Sequence, residues 1–496
     1  MSSPEPRTSL RRQGLARRQL LVAGGLAAVA LPVRAQEVPL SGEPQAANPI
    51  SNGRPESQAR HFRSRAVDDA VDAVRRHLGS DGARGKLGAM FENCFPNTLD
   101  TTVERGEIDG RPDTFVITGD IPAMWLRDSS AQVWPYVSLA AGDAALRVLL
   151  AGVIHRQTTC ILLDPYANAF NCGPTGSPFA TDETEMKPGV WERKWELDSL
   201  CYAIRLAHGF WKATGDASPF DTNWRRAMRL AVDTMKAQQR KDGRGPYSNK
   251  RTTGWSPDMV PGNGWGNPVR PTGMVASLFR PSDDAALYLF HVPSNMFAVV
   301  SLRELAEMYD VVGGEVDFGV ECRALADEID GALKTHAVFD RPGIGPVWAY
   351  EVDGFGNAIF MDDANAPNLL SAPYFGYCAE GDPLYRRTRD LILSGANPWY
   401  RDGAAAKGLG SPHTPGRRIW PIALTMQALT SHDPDEIVAL LRILIATDAG
   451  TGFMHEAFEA DDPAQFSRPW FAWANTLFGE LILRLYRGKP DLLLRV

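Results

Sequence analysis

The motifs that announce metal, phosphate or nucleophilic-serine chemistry are missing from this chain. There is no CxxC pair, which excludes a zinc ribbon and a thioredoxin-like exchange site. HEAFE (His455–Glu459) is not HExxH, and none of the nine histidines clusters at metal-ligand spacing. DGFGN (Asp353–Asn357) lacks the acidic series of an EF-hand loop. Neither a GxSxG elbow nor a GxxxxGK[ST] phosphate loop occurs, and GNGWGN (Gly262–Asn267) follows no clear strand. No cofactor is therefore expected. Long Lys/Arg runs are also missing and the net charge is −7, so a nucleic-acid surface is not expected. Of the six cysteines, only Cys160 and Cys172 offer a disulfide pair, and their spacing does not decide it. The others read as buried thiols.

Aromatics, by contrast, are plentiful. The 496 residues include 13 Trp, 12 Tyr and 21 Phe, enough to fill a core and still stack on sugar rings. Residues 1–35 read as an export signal: Arg11–Arg12 and Arg17–Arg18 precede the apolar run Leu20–Leu31, and Ala35 stands at a cleavage point. ARRQLL (Ala16–Leu21) resembles the twin-arginine type. The apolar run is too short to span a bilayer, so no membrane insertion is expected once the signal is removed. Residues 36–56 are rich in Pro, Ser, Gly, Asn and Gln and read as a flexible linker, leaving 57–496 as the folded domain.

From Ser57 onward the apolar spacing is helical. Phe62, Ala66, Val67, Val71, Val74 and Leu78 recur at three- and four-residue steps, as do Leu197, Leu200, Cys201, Ile204, Ala207 and Trp211. Further helices are predicted over 142–154, 222–239, 293–312, 319–335, 420–430, 434–446 and 470–487. The clearest strand signal is a hairpin of Val347–Val352 and Ala358–Met361 around DGFGN. Long loops rich in Gly, Pro, Asn and Trp (164–190, 241–282, 361–375, 396–419) separate the helices. Loops of that length inside a compact domain are usually functional or disordered, and their tryptophans favour the functional reading. The expected architecture is an all-α domain whose loops gather at one end.

Those loops share a composition, an acidic residue beside an aromatic near Pro or Gly. Gly119–Tyr136 (GDIPAMWLRDSSAQVWPY) sets Arg127 and Asp128 among tryptophans. Two readings stand: a grip on a hydroxyl-covered ligand, or a buried ion pair. WERKWELDSL (Trp191–Leu200), RPSDDA (Arg280–Ala285), MDDAN (Met361–Asn365), GSPHTP (Gly410–Pro415) and GFMHEAF (Gly452–Phe458) follow in order. Hydrolysis of a sugar acetal needs a protonated carboxyl near the leaving oxygen and a carboxylate opposite it. Asp283 and Asp284 are like-charge neighbours, which raises the pKa of one, although a helix starting just after them would oppose that. An N-cap pair is the structural alternative. Glu456 lies in an apolar setting beside His455, where it is either a tuned carboxyl or a structural Glu–His pair.

Together, MWLRDSSAQVWPY, WELDSLCY, RPSDDA with HVPSNMFAV, EVDGFGN–MDDAN–PYFGY, GSPHTP–IWPI and GFMHEAF resemble glycoside hydrolase family 125, the metal-independent exo-α-1,6-mannosidases. The resemblance runs from about Glu92 to Ile482 with the motifs in one order. It implies an (α/α)6 barrel, a pocket for a terminal mannose of an α-mannoside glycan, and inversion without metal. By the same resemblance, Asp283, in preference to Asp284, is the general acid and Glu456 the general base. Arg127 and Asp128 would bind hydroxyls of the sugar. Trp125, Glu196, Asp198, Asp284, Asp363, Asn365, Tyr374 and His413 are further pocket residues. An exo-glycosidase of other sugar specificity on the same toroid, or a non-catalytic exported glycan-binding protein, are the alternatives.

Overall fold

The computed structural model describes residues 53–251, 254–312 and 316–496. The export signal and most of the linker lie outside the described residues. Arg54, placed in the linker by composition, is pinned by ion pairs to Asp68 and Asp100, both at 2.8 Å. The folded body therefore starts before Ser57.

Fourteen helices are found among the described residues. They are α1 (Arg65–Leu78), α2 (Gly82–Cys94), α3 (Asn97–Thr101), α4 (Leu126–Val137), α5 (Ala144–Leu163), α6 (Leu197–Thr214) and α7 (Thr222–Gln238). After a long connection come α8 (Val292–Val312), α9 (Val316–His336), α10 (Pro383–Ile392), α11 (Pro421–Leu429), α12 (Pro434–Ala446), α13 (Ala472–Gly488) and α14 (Pro490–Leu493). Burial sorts them into two layers. In α1 only Val67, Val71, Val74 and Leu78 are buried, the single stripe of a helix with one face to solvent. In α6 every residue from Leu197 to Ala207 is buried, and α13 is buried from Ala472 to Leu483. Such helices have neighbours all round.

Packing agrees with that division. Helices α13, α4, α6 and α8 lie side by side in that order, with α11 on the other flank of α13. Around them, α2 packs on α13, α5 on α4 and α6, α7 on α6, α9 on α8 and α12 on α11. Between α8 and α11 the inner layer is continued by 366–377, whose Phe375 meets Phe297 of α8 at 4.2 Å and Tyr202 of α6 at 5.6 Å between ring centroids. Tyr202 also meets Trp473 of α13 at 6.1 Å, so one aromatic cluster ties the inner elements together. Helix α5 is long and apolar enough to cross a membrane, but two thirds of its apolar window is buried within this packing, as in a core helix.

Three expectations are corrected. The chain is mostly helical rather than all-α, because six small antiparallel sheets of two or three strands decorate the described residues. The hairpin is shorter than read: Ala358 pairs with Val352 and Ile359 with Glu351, while Gly345–Trp348 pairs with Val338–Arg341 instead. That partner emerges directly from α9, and a turn with Gly343 and Gly345 at φ +78° and +90° joins the two, so the local pairing wins. Finally, no helix follows Asp283–Asp284. Phe279 and Ala285 form an isolated bridge, Asp283 N–H donates to Arg280 C=O (2.9 Å), and α8 begins only at Val292. The N-cap alternative falls with it. Cys160 and Cys172 are both unpaired thiols.

Candidate active site

The site is built where α4 and α6 begin. Met124–Trp125 pairs with Ala169–Phe170, which pairs with Val190–Glu192; this small sheet sets Trp125, Asn168 and Glu192 beside the two helix starts. Arg127 is the second residue of α4, an unfavourable place for a cation because helix N-termini are positive. Carboxylates surround it. Nη1 donates to Glu196 Oε2 at 2.6 Å and to Asp198 Oδ2 at 3.4 Å, and Nη2 donates to Asp283 Oδ1 at 3.2 Å. Asp128 Oδ2 lies 3.5 Å from Nε. Arg127 is thus a buried hub, and its terminal nitrogens are committed to protein carboxylates.

Four carboxyl groups around one guanidinium cannot all ionise cheaply in a buried site. Burial pushes Glu196 well above the usual range, and the charges of Asp283 and Asp198 add to it against the pull of Arg127. Asp128 and Asp198 are raised to about 6, chiefly by burial and again against Arg127. Asp283 goes the other way. Burial would raise it, but the charges of Arg127 and Lys194, a hydrogen bond with Glu196, and His413 together hold it below the usual carboxylate range. The adjacency expected to raise one of the two aspartates does not raise Asp283, because these partners dominate. Asp283 is also the exposed member, 22% accessible where Glu196 is fully enclosed.

An unusual backbone aims Asp283 outward. Its φ is +69°, the left-handed region that disfavours a side chain bearing a Cβ, and the turn must be held in place. Ser282 Oγ donates to Asp363 Oδ2 (2.7 Å), Asn365 Nδ2 donates to Pro281 C=O (2.8 Å), and Arg280 Nε donates to Glu351 Oε1 (2.6 Å). Asp363 and Asn365 therefore act on the turn. Asp284 is buried on its other side, with Oδ1 3.5 Å from His413 Nδ1. Burial would lower His413, but that contact and the charges of Asp284, Glu456 and Asp283 raise it to about 10, making it an imidazolium at neutral pH.

Glu456 forms the other half. Ser467 Oγ donates to its Oε2 (2.9 Å) and Arg468 Nη1 to its Oε1 (3.2 Å), while Arg468 Nη2 donates to Asp120 at 2.6 Å. Asp128 feels both Asp283 and Arg468, and His413 feels both Asp283 and Glu456, so the two halves face one site. Ser467, rather than His455, is the hydroxyl partner; His455 is stacked on Phe466 at 3.7 Å. Trp125 is buried with Ala123 and Ala169, and its indole N–H has no protein partner.

Tyr374 is not brought into this group. Its hydroxyl donates to Glu480 Oε2 (2.8 Å) and Arg205 lies over its ring at 4.7 Å, on the flank of α6 and α13. Asn168, Lys194, Asp120 and Arg468 join the site without having been singled out from the sequence. All but Asn168 lie inside or beside the motifs, and their charge was the available signal. Asn168 carried none. Asp258, Asp284 and His413 place their ligand atoms within 4.8 Å of one another. Asp258 is already matched by Lys194 at 3.2 Å and Arg251 at 2.9 Å, a poor setting for a metal cation beside a protonated imidazole.

The raised carboxyls give a testable pH dependence. Asp128 and Asp198 titrate at about 6 in the folded chain against an ordinary 3.8, so folding takes up protons between those values. Stability from these groups is therefore greater at the acid end and is lost as pH rises through that window. Asp198→Asn removes one ionising group. The melting-temperature difference between this variant and wild type should shift in the variant's favour from about pH 4 to about pH 7. A pH-independent difference would contradict the assignment.

Residues 85–483 match the family described as "Metal-independent alpha-mannosidase (GH125)", and the chain belongs to that family of glycoside hydrolases. The match spans the same region as the motif resemblance. The chain is 39% identical over 461 residues to the Meiotically up-regulated gene 157 protein of Schizosaccharomyces pombe (strain 972 / ATCC 24843), covering 89% of each. It is similar in structure to a metal-independent alpha mannosidase of Streptococcus pneumoniae, solved as a non-productive complex with alpha-1,6-mannobiose. There the TM-score is 0.82 at 43% identity, over 86% of this chain and all of that one.

Proposed function

We propose that the protein is an exo-acting α-mannosidase releasing terminal α-1,6-linked mannose with inversion and without metal, on an (α/α)6 toroid. The observation that carries this reading is the pairing of two differently held carboxyl groups at one site. Asp283 sits on a braced turn beside Arg127 and Glu196, and Glu456 is gripped by Ser467 and Arg468. Asp283 protonates the departing oxygen, and Glu456 takes a proton from the water that attacks the opposite face. Asp128, between the halves, accepts sugar hydroxyls, and the His413 imidazolium fixes the polarity of the opening. The bound α-1,6-mannobiose of the Streptococcus pneumoniae neighbour supports the linkage. Export through the twin-arginine route belongs to the same proposal.

Proton NMR of α-1,6-mannobiose hydrolysis tests substrate, stereochemistry and metal independence together. The β-anomer of mannose should appear first, at a rate unchanged by chelator, and Glu456→Gln should lower that rate by about 10³-fold. Initial release of the α-anomer would overturn inversion, and α-glucoside turnover in its place would overturn the substrate.

A further inference from the structure

The mechanism asks Asp283 to donate a proton, yet Arg127 Nη2 lies 3.2 Å from its carboxylate, and a guanidinium in contact favours the ionised form. Something else must keep a proton at that position. Glu196 is placed to do it. Its carboxyl shares donors with that of Asp283: one Asn168 amide nitrogen spans both, at 3.2 Å from Glu196 Oε1 and 3.4 Å from Asp283 Oδ1. The same guanidinium spans them from the other side, through Nη1 and Nη2. Two carboxyl groups held this close by shared donors cannot both ionise cheaply, and a proton between them relieves the repulsion that Arg127 and Asn168 only partly offset.

We propose that Glu196 and Asp283 share a single proton, and that Glu196 is the buried store from which the acid of the reaction is supplied. The inference rests on the glycosidase reading of the site. Glu196 is enclosed and does not reach substrate, so it is a positioning residue; Asp283 is the member that faces outward. As the glycosidic C–O bond breaks, Asp283 gives the shared proton to the departing oxygen, and the pair is left doubly ionised beside Arg127. Glu456 gains a proton from the attacking water, releases it to solvent, and solvent reprotonates the pair, so protons balance over a turnover.

The surrounding charges fit this cycle. Arg127 and Asp128 come from α4, Asp198 from α6, Lys194 and Glu192 from the segment before α6, and His413 and Asp284 from the far side. Arg127, Lys194 and His413 tolerate the doubly ionised state, and Asp128 and Asp198 keep the resting pair from losing its proton.

Glu196→Gln tests the sharing, because glutamine keeps the shape and a hydrogen bond to Asp283 but stores no proton. Two substrates are compared: α-1,6-mannobiose, whose leaving group needs protonation, and α-mannosyl fluoride, whose leaving group does not. The variant should lose ~10²-fold in kcat on mannobiose near neutral pH, with its alkaline limb moved to lower pH, while turnover of the fluoride stays within a few-fold of wild type. Glu196→Asp should restore part of the mannobiose rate. Equal losses on both substrates at every pH, or an unmoved alkaline limb, would overturn the proposal. The infrared difference spectrum between wild type and Glu196→Gln gives a readout that does not depend on activity. One protonated-carboxyl band should disappear from the resting enzyme, and its absence from wild type at neutral pH would sink the shared proton even if the protein hydrolyses mannosides as proposed.

Discussion

Asp283→Asn should lower kcat on α-1,6-mannobiose by about 10³-fold while leaving binding of the disaccharide within a few-fold of wild type. The amide keeps the size of the side chain and can still meet Arg127 and Asn168 in part, so the braced turn survives. What disappears is the proton delivered to the departing oxygen. Calorimetric binding and single-turnover kinetics on the same preparation separate the two effects. Asp284→Asn is the control. Asp284 is turned away toward His413 and is buried, so its replacement should disturb the imidazolium rather than abolish hydrolysis. If Asp284→Asn proves to be the inert but binding variant, the acid is Asp284 and the outward aim given to Asp283 is wrong.

Arg127→Met should be the most destabilising substitution at the site. Methionine fills much of the same space, but it leaves Asp128, Glu196, Asp198 and Asp283 with no shared cation in a nearly dry environment. Breaking a buried ion pair from one side typically costs about 3–5 kcal/mol, because the abandoned charge stays desolvated. Here part of that cost can be relieved by protonation, so the loss read from denaturation midpoints should be largest at alkaline pH and shrink toward acid. Arg127→Lys should recover only a fraction, since a single ammonium cannot reach Glu196 and Asp283 with separate donors as Nη1 and Nη2 do. A variant as stable as wild type across pH would refute the hub.

The helices were legible because burial writes itself into spacing. The nine segments read from periodicity all appear, most with ends displaced by a few residues, while the 142–154 segment extends to Leu163. Helix α2 escaped notice because GARGKLGAMFENC carries three glycines and little amphipathic signal. Helix α4 carries no periodic signal because it is buried on nearly every side, which erases the stripe that periodicity detects. The acidic motifs were legible as well, and the structure gathers most of them. The reversed effect on Asp283 was hidden: adjacency to Asp284 is visible in sequence, whereas Arg127, Lys194 and Glu196 approach from 87 to 156 positions away only through the fold. Tyr374 shows the converse, since a motif neighbour at a sugar-like PYFGY stretch is spent on packing α6 against α13.

The contact between Arg468 and Asp120 joins positions 348 residues apart. Around it, Gly119 bridges to Phe471, and Thr118 C=O accepts from Ala472 N–H at 3.0 Å. The proposed base is therefore held at a seam where residues 468–472 are stitched to residues 118–120. Closing so large a loop costs entropy before any contact repays it, which places this step late in folding. Until that seam forms, Glu456 lacks the Arg468–Asp120 pair that holds it.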